Sequence, residues 1–275
     1  MIVLADLIGL LESRFPMEWA EHWDRVGLVV GRPEQDVHRI LCTIDITPDV
    51  VAEALSIKAD LIIAHHPLLL KGVSSVAAVN PAGRMIHDLI SHGVALYVAH
   101  TNADIAVPGV SDALADALGI VGRMPLKPAK FPALGDGRGY GRVGRLPVQI
   151  PLREFAQLAA RVLPTGDLGV RIAGDPARRI TLVAVCGGSG DEFLPQAREM
   201  GVDVYLTGDL KHHKASDHLL DGGPALIDAG HWATEQPWLV EVAQWLQKET
   251  GVESLVSQVR TDPWTIHVYG HNRPL

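Results

Sequence analysis

Leu61-Ile62-Ile63-Ala64-His65-His66-Pro67 is an apolar run that ends in two adjacent histidines. Uninterrupted aliphatic residues are typical of an interior strand of a parallel sheet, which is buried on both faces. The residues that follow such a strand lie at the carboxyl edge of the sheet, where α/β proteins bind their ligands. Two imidazoles placed there are neutral nitrogen donors at pH 7, and divalent transition metals bind such donors. The stretch predicts an α/β fold and indicates a metal site, although a histidine can also be a core or surface residue.

Apolar periodicity predicts strands and helices that alternate along the rest of the chain. The predicted strands cover 39–46, 61–64, 94–99, 182–186, 202–209 and 225–231, and the predicted helices cover 2–14, 48–57, 80–92, 107–118, 191–200 and a last one through 245. Such alternation is typical of parallel sheets in α/β proteins. Residues 121–150 are rich in Gly, Pro and basic residues and have no long periodic run, so they are predicted to form a crossover.

The two parts of the chain repeat the same order of elements. A strand, a helix and a second strand occupy residues 41–66 and again residues 182–209, and each set ends in a polar pair. We therefore expect two related α/β halves, 1–122 and 151–275, joined by a crossover at 123–150, with their strand ends facing one cleft. Chance similarity between βα units is the alternative explanation.

A histidine with a carboxylate four residues later follows a further strand in each half. The pairs are His100 with Asp104 and His231 with Glu235. Residues at this spacing lie on one face of a helix, where a histidine and a carboxylate form a common metal-binding pair. The alternative for the second pair is an ordinary helix start at 234–237.

Together the strand ends supply more donors than one closed tetrahedral zinc site needs. The expected ligands are His65, His66, Asp104, His231 and Glu235. Three histidines and two carboxylates suit two divalent ions bridged by a carboxylate and a water or hydroxide. Either ion lowers the pKa of a bound water towards neutrality and so can produce a nucleophile.

Composition narrows the class of protein. The formal net charge of −8 gives no basic footprint of the kind that nucleic-acid-binding proteins show. Cys42 and Cys186 lie in apolar runs and are predicted to be core thiols in a reducing compartment. The first residues lack the basic region of a secretory signal, and no apolar run of about 20 residues could span a membrane. A cytoplasmic protein without a membrane segment is expected.

Four ordered motifs resemble the Nif-three-like dinuclear-metal-centre family, whose members are often labelled GTP cyclohydrolase 1 type 2 homologues. The motifs are His65–Gly72, His100–Asp104, Thr207–His213 and Asp228–Glu235, with further similarity at Trp23–Leu28 and Gly139–Gly144. The resemblance covers residues 20–240. It implies a Nif-three-like fold of two α/β halves with the metal site in the cleft between them.

The resemblance also implies metal ligands and an assembly. The implied ligands are His65, His66, Asp104, His231 and Glu235, with His100 as a partner of a ligand. A toroidal homohexamer is implied by the resemblance alone. Some family members carry an inserted domain between the halves, and 123–150 is too short to hold one. Arg25 stands where the family often has Asn, which leaves the role of its loop open.

The metals could be Zn, Fe, Mn, Co or Ni, and the reaction that fits them best is hydrolysis of a small substrate. The family label points to a nucleotide or another phosphate-bearing molecule. Basic residues near the motifs could neutralise its charge or could be solvated surface, namely Lys71, Lys211, His212 and His213. Asp45 and Asp209 could orient ligand histidines or could be turn residues. No residue is assigned a catalytic role from the sequence.

The competing hypothesis is a non-catalytic hexameric scaffold that metals stabilise and that binds protein or nucleic-acid partners. A third hypothesis is a protein that stores metal ions. A catalytic site keeps open coordination positions, whereas a structural site is saturated by protein ligands. Five protein ligands for two ions leave positions open, which favours hydrolysis. The tryptophans at 232, 238 and 245 are predicted to be core anchors.

Overall fold

The computed structural model describes residues 2–129 and 137–268, in which strands and helices alternate along the chain. The strands are β1 Ile2–Val3, β2 Gly27–Val30, β3 Asp36–Val37, β4 Arg39–Thr43, β5 Leu61–Ala64, β6 Ala95–Val98, β7 Val121–Pro128, β8 Gly139–Pro151, β9 Arg171–Ala173, β10 Arg179–Ser189, β11 Val204–Gly208, β12 Ala225–Asp228 and β13 Glu253–Val256. The helices are α1 Leu4–Arg14, α2 Pro48–Ser56, α3 Pro81–His92, α4 Thr101–Ile105, α5 Val110–Ala117, α6 Leu152–Val162, α7 Leu194–Glu199, α8 His212–Leu220 and α9 His231–Thr250. The mixed α/β class predicted from the sequence is confirmed.

The described residues form two compact units. The first comprises 2–114, 127–129, 137–141 and 235–261, and the second comprises 115–126, 142–234 and 262–268. Because related halves of a sequence need not coincide with compact units, the predicted limits 1–122, 123–150 and 151–275 stay a prediction.

The first unit contains a five-stranded sheet in the order β13-β4-β5-β6-β2. The strands β4, β5 and β6 run parallel, β13 joins β4 in parallel, and β2 closes the other edge antiparallel to β6. All four residues of β5 have no exposed surface. The predicted interior parallel strand ahead of His65 is therefore confirmed.

The second unit contains a six-stranded sheet in the order β7-β8-β10-β11-β12-β9. Its centre is parallel, with β11 between β10 and β12, whereas β8 and β9 run antiparallel to their neighbours. Parallel pairing, which the alternation of elements predicts, is therefore limited here to β10, β11 and β12, whereas in the five-stranded sheet of the first unit it includes every strand except β2.

Two local features differ from what periodicity suggested. Residues 121–150 contain β7 and β8, which the sequence did not reveal because glycines interrupt the apolar pattern, and the crossover at 123–150 stays a prediction. A Cβ at Gly144 would lie 2.6 Å from Ile120 Cγ2, so close packing requires this glycine. The last helix, α9, begins at His231 and includes Pro237, so it starts three residues before the alternative start at 234–237.

Aromatic side chains fill the core of the first unit beside α1. Trp238 has no exposed surface and its ring centroid lies 5.9 Å from that of Phe15, edge to face. Trp245 contacts the same phenyl ring, and the Arg14 guanidinium stacks on its indole at 4.5 Å. The prediction that Trp238 is a core anchor is confirmed.

Cys42 and Cys186 are buried, free thiols, as expected. Burial raises the pKa of the Cys42 thiol to about 12. Within the described residues, no helix combines the length and apolar composition that a bilayer-spanning segment needs. The cytoplasmic location stays a prediction.

Candidate metal centre

The adjacent histidines continue directly from the buried strand β5. The His65 amide donates to Thr43 O at 3.0 Å and the His66 amide donates to Ile44 O at 2.8 Å. These two bonds extend the pairing of β5 with β4 beyond the last residue of the strand. The position of both histidine backbones is therefore fixed by the sheet.

Glu235, on α9, faces both imidazoles. Its Oε1 lies 3.5 Å from His65 Nε2 and its Oε2 lies 3.2 Å from His66 Nε2. Asp104, on α4, places Oδ1 3.7 Å from His65 Nε2. These four side chains all belong to the first unit, and each was predicted to be a ligand.

His100 lies beside the same group. Its ring centroid is 5.2 Å from that of His65 and 5.5 Å from that of His66, and one nitrogen of each of the three rings lies within 4.8 Å of the others. Imidazole nitrogens together with carboxylate oxygens are the donors that first-row divalent metals prefer. We call His65, His66, His100, Asp104 and Glu235 the first-unit centre.

The surroundings of His65 are suited to a cation. His65 Nδ1 lies 2.9 Å from Ala99 O, and since a carbonyl only accepts, Nδ1 is the nitrogen that carries the proton. Nε2 of a neutral ring then directs a lone pair towards the oxygens of Asp104 and Glu235. This buried nitrogen has no hydrogen-bond partner among the residues that the structure describes. A metal ion or an added proton would relieve this repulsion.

The nearby carboxylates also shift the pKa values of the histidines in the centre. Burial alone would lower the pKa of His66, but the negative charge of Glu235 and the hydrogen bond to Asp45 raise it to about 10. At His65, burial would lower the pKa, but the negative charge of Glu235 raises it, and the net shift is upward. Burial raises the pKa of Asp104. The carboxylates therefore stabilise a positive charge between them, and a bound metal ion could supply that charge.

The Nδ1 atom of each ring in the centre is held by an acceptor. His66 Nδ1 lies 2.7 Å from Asp45 Oδ1, and His100 Nδ1 lies 2.9 Å from Asp24 Oδ1. Partners of this kind fix ring orientation and leave Nε2 for a metal. Asp45 therefore lies in contact with His66, and its role as an orienting carboxylate stays a prediction.

The predicted ligand His231 lies in the second unit and repeats this arrangement. Its Nδ1 is 2.7 Å from Asp209 Oδ2, and Asp209 has a left-handed backbone with φ of 56°. A Cβ at Gly208 would lie 2.6 Å from the His231 backbone nitrogen, so only glycine allows β11 to end this close to α9. His231 is one helical turn from Glu235 on α9, and its role as a ligand stays a prediction.

The predicted basic residues are exposed and their role stays a prediction. Lys211 is 79% exposed with Nζ 3.9 Å from Asp191, and His212 and His213 stand next to it at the start of α8. Lys71 lies in the exposed segment that follows His66.

The glycine-rich segment 187–190 has an internal structural use. The Gly188 amide donates to Thr234 Oγ1 at 2.9 Å, and Gly190 packs against Tyr205, whose hydroxyl donates to Gly190 O at 2.9 Å. The Gly188 amide is therefore engaged within the second unit.

Sequence reasoning missed Asp24, which supports the centre from a loop. Its buried carboxylate accepts hydrogen bonds from the Arg25 amide at 2.7 Å, from His100 Nδ1 at 2.9 Å, and from the Thr101 amide and hydroxyl at 3.0 and 2.5 Å. Burial would raise the pKa of Asp24, but the hydrogen bonds from His100 and Thr101 outweigh it and lower the pKa. The position of Asp24 in the motif Trp23–Leu28 was the one available signal.

Replacing Asp24 with asparagine is expected to lower the free energy of unfolding by about 3 kcal/mol at pH 7, because a buried charged acceptor is lost. The folded-state pKa is below the unfolded value of about 3.9, so this stabilisation is complete above that pH and is lost as the pH falls further. Urea unfolding at pH 7 and below pH 4 measures both effects. Asp88→Asn, at an exposed helical position, is the control and should change stability by less than about 0.5 kcal/mol. Equal stability of Asp24→Asn and wild type at pH 7 would contradict this role.

Comparison with known proteins gives consistent matches over nearly the whole chain. The profile of the Duf34/NIF3 (NGG1p interacting factor 3) family matches residues 2–263. The GTP cyclohydrolase 1 type 2 homolog of Streptomyces coelicolor is 46% identical over 271 residues, which cover 96% of this chain and 94% of that protein. The crystal structure of a Bacillus cereus protein related to NIF3 matches with a TM-score of 0.90 at 25% identity, covering 97% of this chain and 99% of that one.

A relative from Mycobacterium tuberculosis, also named GTP cyclohydrolase 1 type 2 homolog, differs in length. It is 33% identical over 368 aligned positions, which cover 96% of this chain and 97% of that protein. Because the alignment is longer than this chain, that protein carries residues that have no counterpart here.

Proposed function

Because this chain belongs to the Duf34/NIF3 family, we propose that it is a metal-dependent hydrolase with two divalent ions, acting on a small phosphate-bearing molecule such as a nucleotide. The observation that carries the metal proposal is the buried Nε2 of His65, which faces the carboxylates of Asp104 and Glu235 and has no hydrogen-bond partner among the residues that the structure describes. The chemical class of the reaction follows from the donor set, and the names of the relatives suggest the substrate class.

Four residues of the first unit would hold metal, and His231 completes the set implied by the family resemblance. Glu235 directs one oxygen to each of two neighbouring histidines. A carboxylate with both oxygens presented in this way is suited to bridge two ions. Asp104 adds a second carboxylate on the side of His65.

Bound ions would polarise a substrate oxygen and make hydroxide available near neutral pH. The residues of the chain prepare this chemistry. Asp45 and the Ala99 carbonyl keep the protons of His66 and His65 on Nδ1, so that both Nε2 atoms can serve as ligands. Five protein ligands would not saturate two ions, which favours catalysis over a structural role.

A metal-dependent assay tests the hydrolase proposal. Protein loaded separately with Zn²⁺, Mn²⁺, Co²⁺, Ni²⁺ or Fe²⁺ is incubated with nucleoside triphosphates and phosphate monoesters, and both phosphate release and opening of the guanine ring of GTP are followed. We expect turnover that is lost on chelation and in Glu235→Gln. A fully loaded protein without turnover on any of these substrates would overturn this proposal.

The second candidate function is a metal-stabilised scaffold that binds a protein partner, which the family description as an NGG1p interacting factor favours. A nucleic-acid partner has less support, given the net charge of −8. For both functions the proposed assembly is a toroidal homohexamer, which the mass measured by light scattering tests.

A further inference from the structure

The segment after β13, residues 257–261, is held in the first unit by a carboxylate of helix α2. The Ser257 amide donates to Cys42 O at 2.8 Å, which continues the pairing of β13 with β4. Glu53, on α2, accepts from the Ser257 hydroxyl and from the Gln258 amide, the latter at 2.8 Å. Residues 257 and 258 are therefore fixed beside the end of β4, a few residues before Thr261.

Thr261, the last residue of this segment, contacts Asp45, the carboxylate that lies beside His66. Its hydroxyl donates to Asp45 Oδ2 at 2.5 Å, while the other oxygen, Oδ1, lies 2.7 Å from His66 Nδ1. Thr261, Asp45 and His66 thus form a hydrogen-bonded line that ends at Nε2 of His66, 3.2 Å from Glu235.

Asp45 needs a second anchor because it stands in the turn between β4 and α2 and its side chain is 33% exposed. A carboxylate held through one oxygen can rotate about its terminal bond, and that torsion is broad. A hydrogen bond to the second oxygen removes this freedom. The geometry points to Thr261 as a positioning residue that fixes Asp45 and, through it, the metal-binding nitrogen of His66.

This inference rests on the metal-binding part of the proposed function and adds a residue 216 positions from Asp45 in the sequence. Outer partners of metal ligands typically change metal affinity by about 10- to 100-fold when they are removed. Thr261→Val removes the hydroxyl at nearly constant shape and is expected to weaken Zn²⁺ binding by about tenfold. Thr261→Ser keeps the hydroxyl and should retain wild-type affinity.

The experiment measures the Zn²⁺ dissociation constant by competition with a chromogenic chelator, together with urea unfolding of each metal-free protein. Thr250→Val is the matched control, because its hydroxyl bonds to Leu246 O at the end of α9 and not to the centre. Weaker binding in Thr261→Val alone, restored in Thr261→Ser, supports the inference. Equal affinity of Thr261→Val and wild type overturns it and leaves the proposed metal centre standing.

A second readout does not depend on metal. The ¹⁵N NMR shift of His66 Nδ1 in the metal-free protein reports the hydrogen bond to Asp45. We expect it to change in Thr261→Val and to stay as in wild type in Thr261→Ser and Thr250→Val. If the wild-type chain binds no metal, the proposed function fails, and an unchanged His66 shift in Thr261→Val would then overturn the positioning role separately.

Discussion

Glu235→Ala is expected to weaken divalent-metal binding by more than about 100-fold, beyond the usual effect of removing an outer partner of a ligand. Glu235 faces both His65 Nε2 and His66 Nε2, so its loss removes the negative charge common to both. His66→Ala should have an effect of similar size. Metal titration of each purified variant, followed by calorimetry, measures the affinity.

The fold should survive both substitutions, because both leave the packing of Trp238 on Phe15 in place. Circular dichroism and urea unfolding without metal check this point. Glu249→Ala, at an exposed position on the same helix, is the control and should bind metal as wild type does. Wild-type affinity in Glu235→Ala or His66→Ala would exclude that residue from the ligand set.

Trp238→Ala is expected to give the largest loss of stability, about 3–5 kcal/mol, because a fully buried indole leaves a cavity that its neighbours cannot fill. The ring packs on Phe15, and its centroid lies 5.3 Å from that of His65. Removing it should therefore also weaken metal binding by loosening one wall of the centre. Urea unfolding of the metal-free protein measures the stability term without the contribution of bound metal.

The control for Trp238 is Trp264→Ala, since that indole is 63% exposed. A substitution there should change the free energy of unfolding by less than about 0.5 kcal/mol. If Trp238→Ala unfolded at the same urea concentration as Trp264→Ala, the packing of α9 against α1 would not be a main source of stability in the first unit.

Four of the predicted ligands lie together in the first unit, and the sequence pointed to them because they follow local patterns. An unbroken aliphatic run identified β5, and a strand of that kind places His65 and His66 at the edge of the sheet. Asp104 and Glu235 were found because each follows a histidine by four residues. The α/β class followed from the same periodicity, which reports burial on both faces of a strand.

The parts that the sequence did not predict depend on partners far along the chain. Asp24 bonds to His100 across 76 positions and Thr261 bonds to Asp45 across 216. Asp24 was marked only by its place in the motif Trp23–Leu28, and Thr261 has no local pattern that marks it. The strands β7 and β8 were missed because glycines such as Gly144 replace apolar residues where another strand or side chain comes close. Such positions are set by tertiary packing and not by periodicity.

The most direct test of the proposed dinuclear centre is the metal content per chain of wild-type protein purified without added metal, measured by elemental mass spectrometry and followed by titration. We expect about two equivalents of divalent metal, present on purification or taken up on titration. A chain that contains none and takes up none would contradict it, and the charges of His65, His66 and Glu235 would then be balanced by protons alone.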